Sequence, residues 1–131
     1  MIKSVQPFLM FQENAADALA LYARIIPGAV VGNQSAYGAN EALSAGTLKL
    51  ATLTLAGQQV AIHNSPRVHN FGFTPSFSFF LEMDSADAVG DLAAKLADGG
   101  KALMPAGAYG FSAQFAWIQD RFGVSWQLNA A

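Results

Sequence analysis

Alternating large residues run through the stretch Phe115-Ala-Trp-Ile-Gln-Asp-Arg-Phe-Gly-Val-Ser-Trp-Gln-Leu128 into Asp120-Arg-Phe-Gly123 and resume at Val124. A period of two marks a pair of half-buried strands, and the break reads as a type I turn closed by a left-handed glycine at a G1 bulge. That turn sets the register, opposing Gln119 to Ser125 and Trp117 to Gln127. Phe115, Trp117, Gln119, Ser125 and Gln127 then share one face, while Ile118, Trp126 and Leu128 share the other. The second face is a plain core face. The first mixes aromatic rings with amides, the combination that a ligand site uses and a core does not.

The rest of the chain follows the same logic. Ile2 to Gln12 reads as a strand, and Asn14 as the N-cap of a helix through Asp17, Ala18, Leu21, Tyr22 and Ile25 that Pro27-Gly28 ends. Extended segments follow at Ala29 to Tyr37, at Leu48 to Leu55 and, after a tight turn at Gly57, at Gln59 to His63. The order then repeats. Ser76 to Met83 is a strand, Asp84 or Ser85 caps a helix through Val89, Leu92 and Leu96, and Gly99-Gly100 stops it. Lys101 to Ala106, Ala113 to Gln119 and Val124 to Leu128 supply three more strands. The expected architecture is α+β: two βαβββ modules, 1–63 and 76–131, joined by a linker at 64–75 within a single domain. Neither module is large enough to bury both faces of its own sheet. A curved eight-stranded mixed sheet around a cleft, with the helices outside, is therefore expected.

Composition narrows the chemistry. The 131 residues are 53% hydrophobic with a net charge of −2, which fits a folded domain and offers no basic footprint for nucleic acid. No cysteine is present, so disulfides, thiolate metal sites and cysteine nucleophiles are excluded. No apolar run approaches the roughly 20 residues of a membrane span, and Gln6, Pro7 and Gln12 interrupt any leader-like segment, so a soluble, cytoplasmic protein is expected.

Several strings carry a family resemblance: Pro7-Phe-Leu-Met-Phe-Gln12, Leu21-Tyr22 before Ile26-Pro-Gly28, Leu55-Ala-Gly-Gln58, Phe77-Ser-Phe-Phe80 before Asp84, and Asp120-Arg-Phe-Gly-Val-Ser-Trp-Gln127. With the duplicated order, they resemble the PhnB-like branch of the vicinal oxygen chelate superfamily, which includes glyoxalases, bleomycin resistance proteins and dioxygenases. Members of that branch often carry the description 3-demethylubiquinone-9 3-methyltransferase. This chain lacks the glycine-rich strand-to-helix loop and the alternating parallel strand-helix units that usually hold adenosylmethionine, so methyl transfer is not expected. The resemblance also implies a metal site with one ligand on the first and last strand of each module. Order and parity place Pro7, Ile62 or His63, Ser78 and Gln127 at those positions. At most one of these, His63, is a competent ligand, so neither a catalytic metal nor any other cofactor is expected.

Parity assigns the remaining candidates. Leu53, Leu55, Val60 and Ile62 form an apolar face, which turns Thr52, Thr54, Ala61 and His63 toward the cleft. His63 is the candidate catalytic group, since an imidazole titrates near neutrality. Phe11, Thr54, Ser78, Phe80, Phe115, Trp117 and Gln127 are the candidate ligand-binding residues, whereas Phe77, Phe79, Leu81 and Trp126 are assigned to the helix side. Glu82 is a strand-end carboxylate, and Arg67 and His69 are linker residues. The expected function is metal-free binding of an apolar or aromatic small molecule in the cleft between the modules. The alternative is a lyase, isomerase or dioxygenase-type enzyme of the same fold that uses His63 and Gln127. Unpaired sheet edges lead to the expectation of a homodimer.

Overall fold

The computed structural model describes residues 1–131. In chain order the elements are β1 (Phe8–Gln12), α1 (Ala15–Ile25), β2 (Val30–Ala36), β3 (Leu48–Leu55), β4 (Gln58–Ser65), β5 (Ser78–Glu82), α2 (Ala86–Ala97), β6 (Lys101–Gly107), β7 (Gln114–Gln119) and β8 (Ser125–Ala130). The backbone gathers into two compact units, Met1–Asn70 and Phe71–Ala131, each a complete βαβββ module. The strands do not hydrogen-bond into one eight-stranded sheet. They form two four-stranded mixed sheets, ordered β1-β4-β3-β2 and β5-β8-β7-β6. Each module closes its own ladder, because its first strand pairs in parallel with its last.

In the first module α1 buries Ala15, Ala18, Leu19, Tyr22 and Ile25, spaced as one helical face, against a sheet face that includes Leu9, Phe11, Ala51, Leu53, Val60 and Ile62. Strand β1 is shorter than the sequence suggests. It begins at Phe8, whose partner is Ala61, and the residues before Pro7 have no strand beside them. Strand β4 is longer, continuing through Asn64 and Ser65 into the segment read as linker. Asn64 also takes over the expected role of Asn14. The Asn14 side chain makes no capping bond, and its Oδ1 is buried without a partner. Instead the buried Asn64 accepts from the Ala15 N–H through Oδ1 (3.4 Å) and donates through Nδ2 to the Leu48 carbonyl (2.9 Å). The Tyr37 hydroxyl donates to its backbone carbonyl. One residue thus ties helix start, strand β3 and the β2–β3 loop together, through its side-chain amide and its backbone carbonyl. Near that loop Lys49 donates to Glu41 at 2.8 Å. This bond, the Gly38 N–H and the charge of Lys49 hold the Glu41 carboxyl below its ordinary range.

In the second module the local rules suffice. The Ser85 hydroxyl accepts from the Ala88 N–H at 3.1 Å, resolving which residue caps α2. Val89, Leu92, Ala93 and Leu96 form its buried face, which packs on β6, β7 and β8. After the helix, Gly100 runs so close to β7 that a β-carbon there would lie 2.2 Å from the Gln119 carbonyl oxygen. The last hairpin has the expected turn: the Gly123 N–H bonds the Asp120 carbonyl (2.9 Å), the Asp120 N–H bonds the Val124 carbonyl (2.8 Å), and Gly123 has φ +92°. Gln119 pairs with Ser125 and Trp117 with Gln127.

Candidate functional site

Each helix covers one face of its own sheet, so chemistry available to a ligand lies on the opposite face. On the second sheet that face carries Ser78, Phe80 and Glu82 from β5, Ser125, Gln127 and Asn129 from β8, and Phe115, Trp117 and Gln119 from β7. Strand β8 is one of the two inner strands, and Gln127 has Phe80 as partner on one side and Trp117 on the other. Phe80 is exposed and Trp117 is half-buried, so both rings retain surface.

Beneath those rings runs a polar chain. Trp117 Nε1 donates to Ser125 Oγ at 2.8 Å, Ser125 Oγ lies 2.6 Å from Ser78 Oγ, and Gln127 Nε2 lies 3.2 Å from Ser78 Oγ. Further along β7 the rings of Phe111 and Phe115 meet edge to face at 5.0 Å, and Tyr109 stacks on Phe111 at 6.1 Å. The β6–β7 loop therefore folds its aromatics over Phe115, which is buried although it sits on this face. Tyr109 and Phe111 were not among the sequence candidates. They lie outside the alternating strand, so period-two reasoning gave them no direction.

The opposite face of the hairpin is core. Trp126 packs against Phe79 with ring centroids 4.9 Å apart, and its indole N–H donates to the buried carboxylate of Asp120 at 2.9 Å. The other Asp120 oxygen accepts the N–H groups of Phe122 and Val124. Asp120 is thus more than a turn residue, since it satisfies a buried indole. Phe77 departs from its assignment to the helix side: it is 56% exposed and touches Phe79 only edge-on.

On the first sheet the open face carries Phe8 and Met10 from β1, Leu50, Thr52 and Thr54 from β3, and Ala61 and His63 from β4. Thr54 and His63 fall there with partial exposure. His63 lies between Met10 and Leu50 in the ladder, and its ring packs on Phe8 at 5.5 Å. Its surroundings are apolar, with no carboxylate to orient the imidazole. Phe11 must be reassigned. It shares the parity of Leu9 and is 1% exposed, so it is a core residue under α1 rather than a ligand contact. The same shift of one residue moves the first-strand metal position from Pro7 to Phe8, because Phe8 opposes Ala61 as Ser78 opposes Ser125. Elsewhere Glu82 accepts from Asn129 Nδ2 at 3.1 Å on the surface, Arg67 approaches Glu13 at 3.9 Å, and the His69 N–H bonds the Gln12 side chain.

A duplicated βαβββ chain whose sheets each leave one face free of helix is a protein of the glyoxalase-like, vicinal oxygen chelate class. The family model described as 3-demethylubiquinone-9 3-methyltransferase matches residues 3–129, and the chain belongs to that family, the PhnB-like branch of the superfamily. It is similar to a PhnB protein from Bacillus cereus that bears the same methyltransferase description, with 36% identity over 98% of this chain and 100% of that one and a TM-score of 0.90. It is also similar to the protein PA1353 from Pseudomonas aeruginosa, with 25% identity, coverage of 97% and 98%, and a TM-score of 0.81. The fold alone extends to the fosfomycin resistance protein FosX from Listeria monocytogenes, solved with Mn(II) and sulfate, at 13% identity, coverage of 100% and 92%, and a TM-score of 0.68. No curated protein matches the chain.

The metal that this superfamily implies does not fit these residues. Of the four corresponding positions, Phe8 is a hydrocarbon ring, His63 is stacked on it, and Ser78 and Gln127 are hydrogen-bonded to each other. Nowhere do three or more His, Cys, Asp or Glu side chains gather as a ligand set. No helix is long and apolar enough to cross a membrane.

Proposed function

We propose that this protein binds a small aromatic or apolar molecule, without a catalytic metal, on the helix-free face of its second sheet. The observation that carries this reading is the pair of partly exposed rings, Phe80 and Trp117, on either side of a hydrogen-bonded Gln127. Rings on such a face supply contact area at low entropic cost, and a few fixed polar groups supply orientation. An enzymatic role for His63 is less well supported, because general acid-base work needs an oriented imidazole and this one is set among Phe8, Met10 and Leu50. The methyltransferase description also finds little support in the fold. The only parallel pairs are β1–β4 and β5–β8, and neither module has the parallel strand-helix alternation that cradles adenosylmethionine.

The reading is tested by native mass spectrometry of protein purified without added metal, combined with melting curves in Ni, Zn and Mn. A co-purifying organic mass and unchanged melting temperatures are expected. One tightly held divalent ion per chain would overturn it.

A further inference from the structure

The direction of the polar chain under Gln127 follows from which groups can donate. An indole N–H has no acceptor capacity, so Ser125 Oγ accepts from Trp117 Nε1 at 2.8 Å. Ser125 is 1% exposed, and a hydroxyl proton buried there requires an acceptor. The oxygen within reach is Ser78 Oγ at 2.6 Å, so Ser125 donates to Ser78. Ser78 thereby keeps its own proton for another partner. Its neighbour Gln127 stands 3.2 Å away and can present either end of its amide. With the nitrogen toward Ser78, the Ser78 O–H and one Gln127 N–H remain free, beside the Gln127 carbonyl oxygen. With the oxygen toward Ser78, that O–H is used and both Gln127 N–H groups remain free. Either way two donors are left at the half-exposed end of the chain, between the rings of Phe80 and Trp117.

We infer that the Trp117–Ser125–Ser78–Gln127 chain is a polarised donor array that receives an acceptor oxygen of the bound molecule, which selects aromatic compounds bearing a carbonyl or carboxylate. The inference deepens the proposed binding role and rests on it. A carbonyl or carboxylate oxygen has two lone pairs for two donors, whereas a ligand offering only N–H groups finds the Gln127 carbonyl oxygen alone as acceptor and leaves both donors unanswered. The rings on the adjacent strands stand one strand spacing, about 4.8 Å, to each side of Gln127 in the sheet. Donors and aromatic contact area therefore adjoin each other, which matches a ring carrying an acceptor group.

The test is an NMR titration of the intact protein with three probes of similar size: acetophenone and benzoate, which present acceptors, and aniline, which presents donors. Acetophenone and benzoate are expected to bind about fivefold or more tighter than aniline and to shift the Trp117 indole and Gln127 amide signals. Gln127→Glu replaces the donors with a carboxylate and should weaken benzoate about tenfold while aniline improves. The probe ranking in the unmodified protein stands whether or not the variant folds. Aniline binding as tightly as acetophenone would overturn the donor array yet leave the binding role standing. If none of the probes shifts Trp117, both fall.

Discussion

The two modules share one plan and differ in what they place on it. In each, five consecutive residues of the first strand pair in parallel with the last strand, so Phe8 corresponds to Ser78, Ala61 to Ser125 and His63 to Gln127. The cross-strand couple is a tilted ring contact in the first module, Phe8 on His63, and a hydroxyl-amide hydrogen bond in the second. The helices differ too. Helix α2 is capped by its own Ser85, whereas α1 relies on Asn64, 49 residues from the N–H it serves. One backbone duplication thus carries two chemistries: a pair of rings in the first copy stands where the second has a hydroxyl-amide bond, and a helix start served by its sheet stands where the second has a local cap.

The contrast between the faces of the second sheet should give the largest effect. Trp126→Ala removes a buried ring and with it the indole donor to Asp120 Oδ2, and is expected to cost about 3–5 kcal/mol in denaturant unfolding. Trp117→Ala, which removes a partly solvated ring from the open face, should cost roughly 1–2 kcal/mol. Equal costs would erase the distinction between core face and ligand face. Next, the two helix starts can be compared. Asn64→Ala leaves a half-buried Leu48 carbonyl and the buried Ala15 N–H without their partner and should cost about 2–3 kcal/mol. Ser85→Ala, an exposed local cap, should cost about 1 kcal/mol. The reverse order would show that α1 does not depend on its sheet for capping. An effect as small as that of Ser85→Ala is expected at Gly123→Ala, about 1 kcal/mol, from forcing a β-carbon into the left-handed region at φ +92°. A neutral result there would mean that the hairpin has another turn available.

The same contrast explains what was legible in the sequence. The β7–β8 hairpin could be read to the residue because a local turn fixes its register, and every inward and outward assignment from Phe115 to Leu128 followed from Asp120-Arg-Phe-Gly123. Strand β1 could not be read that way. Its register comes from a parallel partner about fifty residues away, and Phe8-Leu-Met-Phe11 is apolar at every position, so no alternation marks which side is core. That is why Phe11 was expected at the site and lies under α1, and why Pro7 stood where Phe8 belongs. Asn64 escaped notice for a related reason: its three partners lie on other segments, and nothing in the local string distinguishes a buried structural amide from a loop residue. The polar chain was half visible. Its members fell on the expected face, but its direction required the distances and the burial of Ser125.

The central claim, that the helix-free face of the second sheet is the ligand face, is tested most directly by following the two indole N–H signals during titration with acetophenone. Movement of the Trp117 signal with saturable dependence on concentration, while the Trp126 signal stays fixed in its bond to Asp120, is the result this account predicts. Movement of Trp126 with Trp117 unchanged would contradict it.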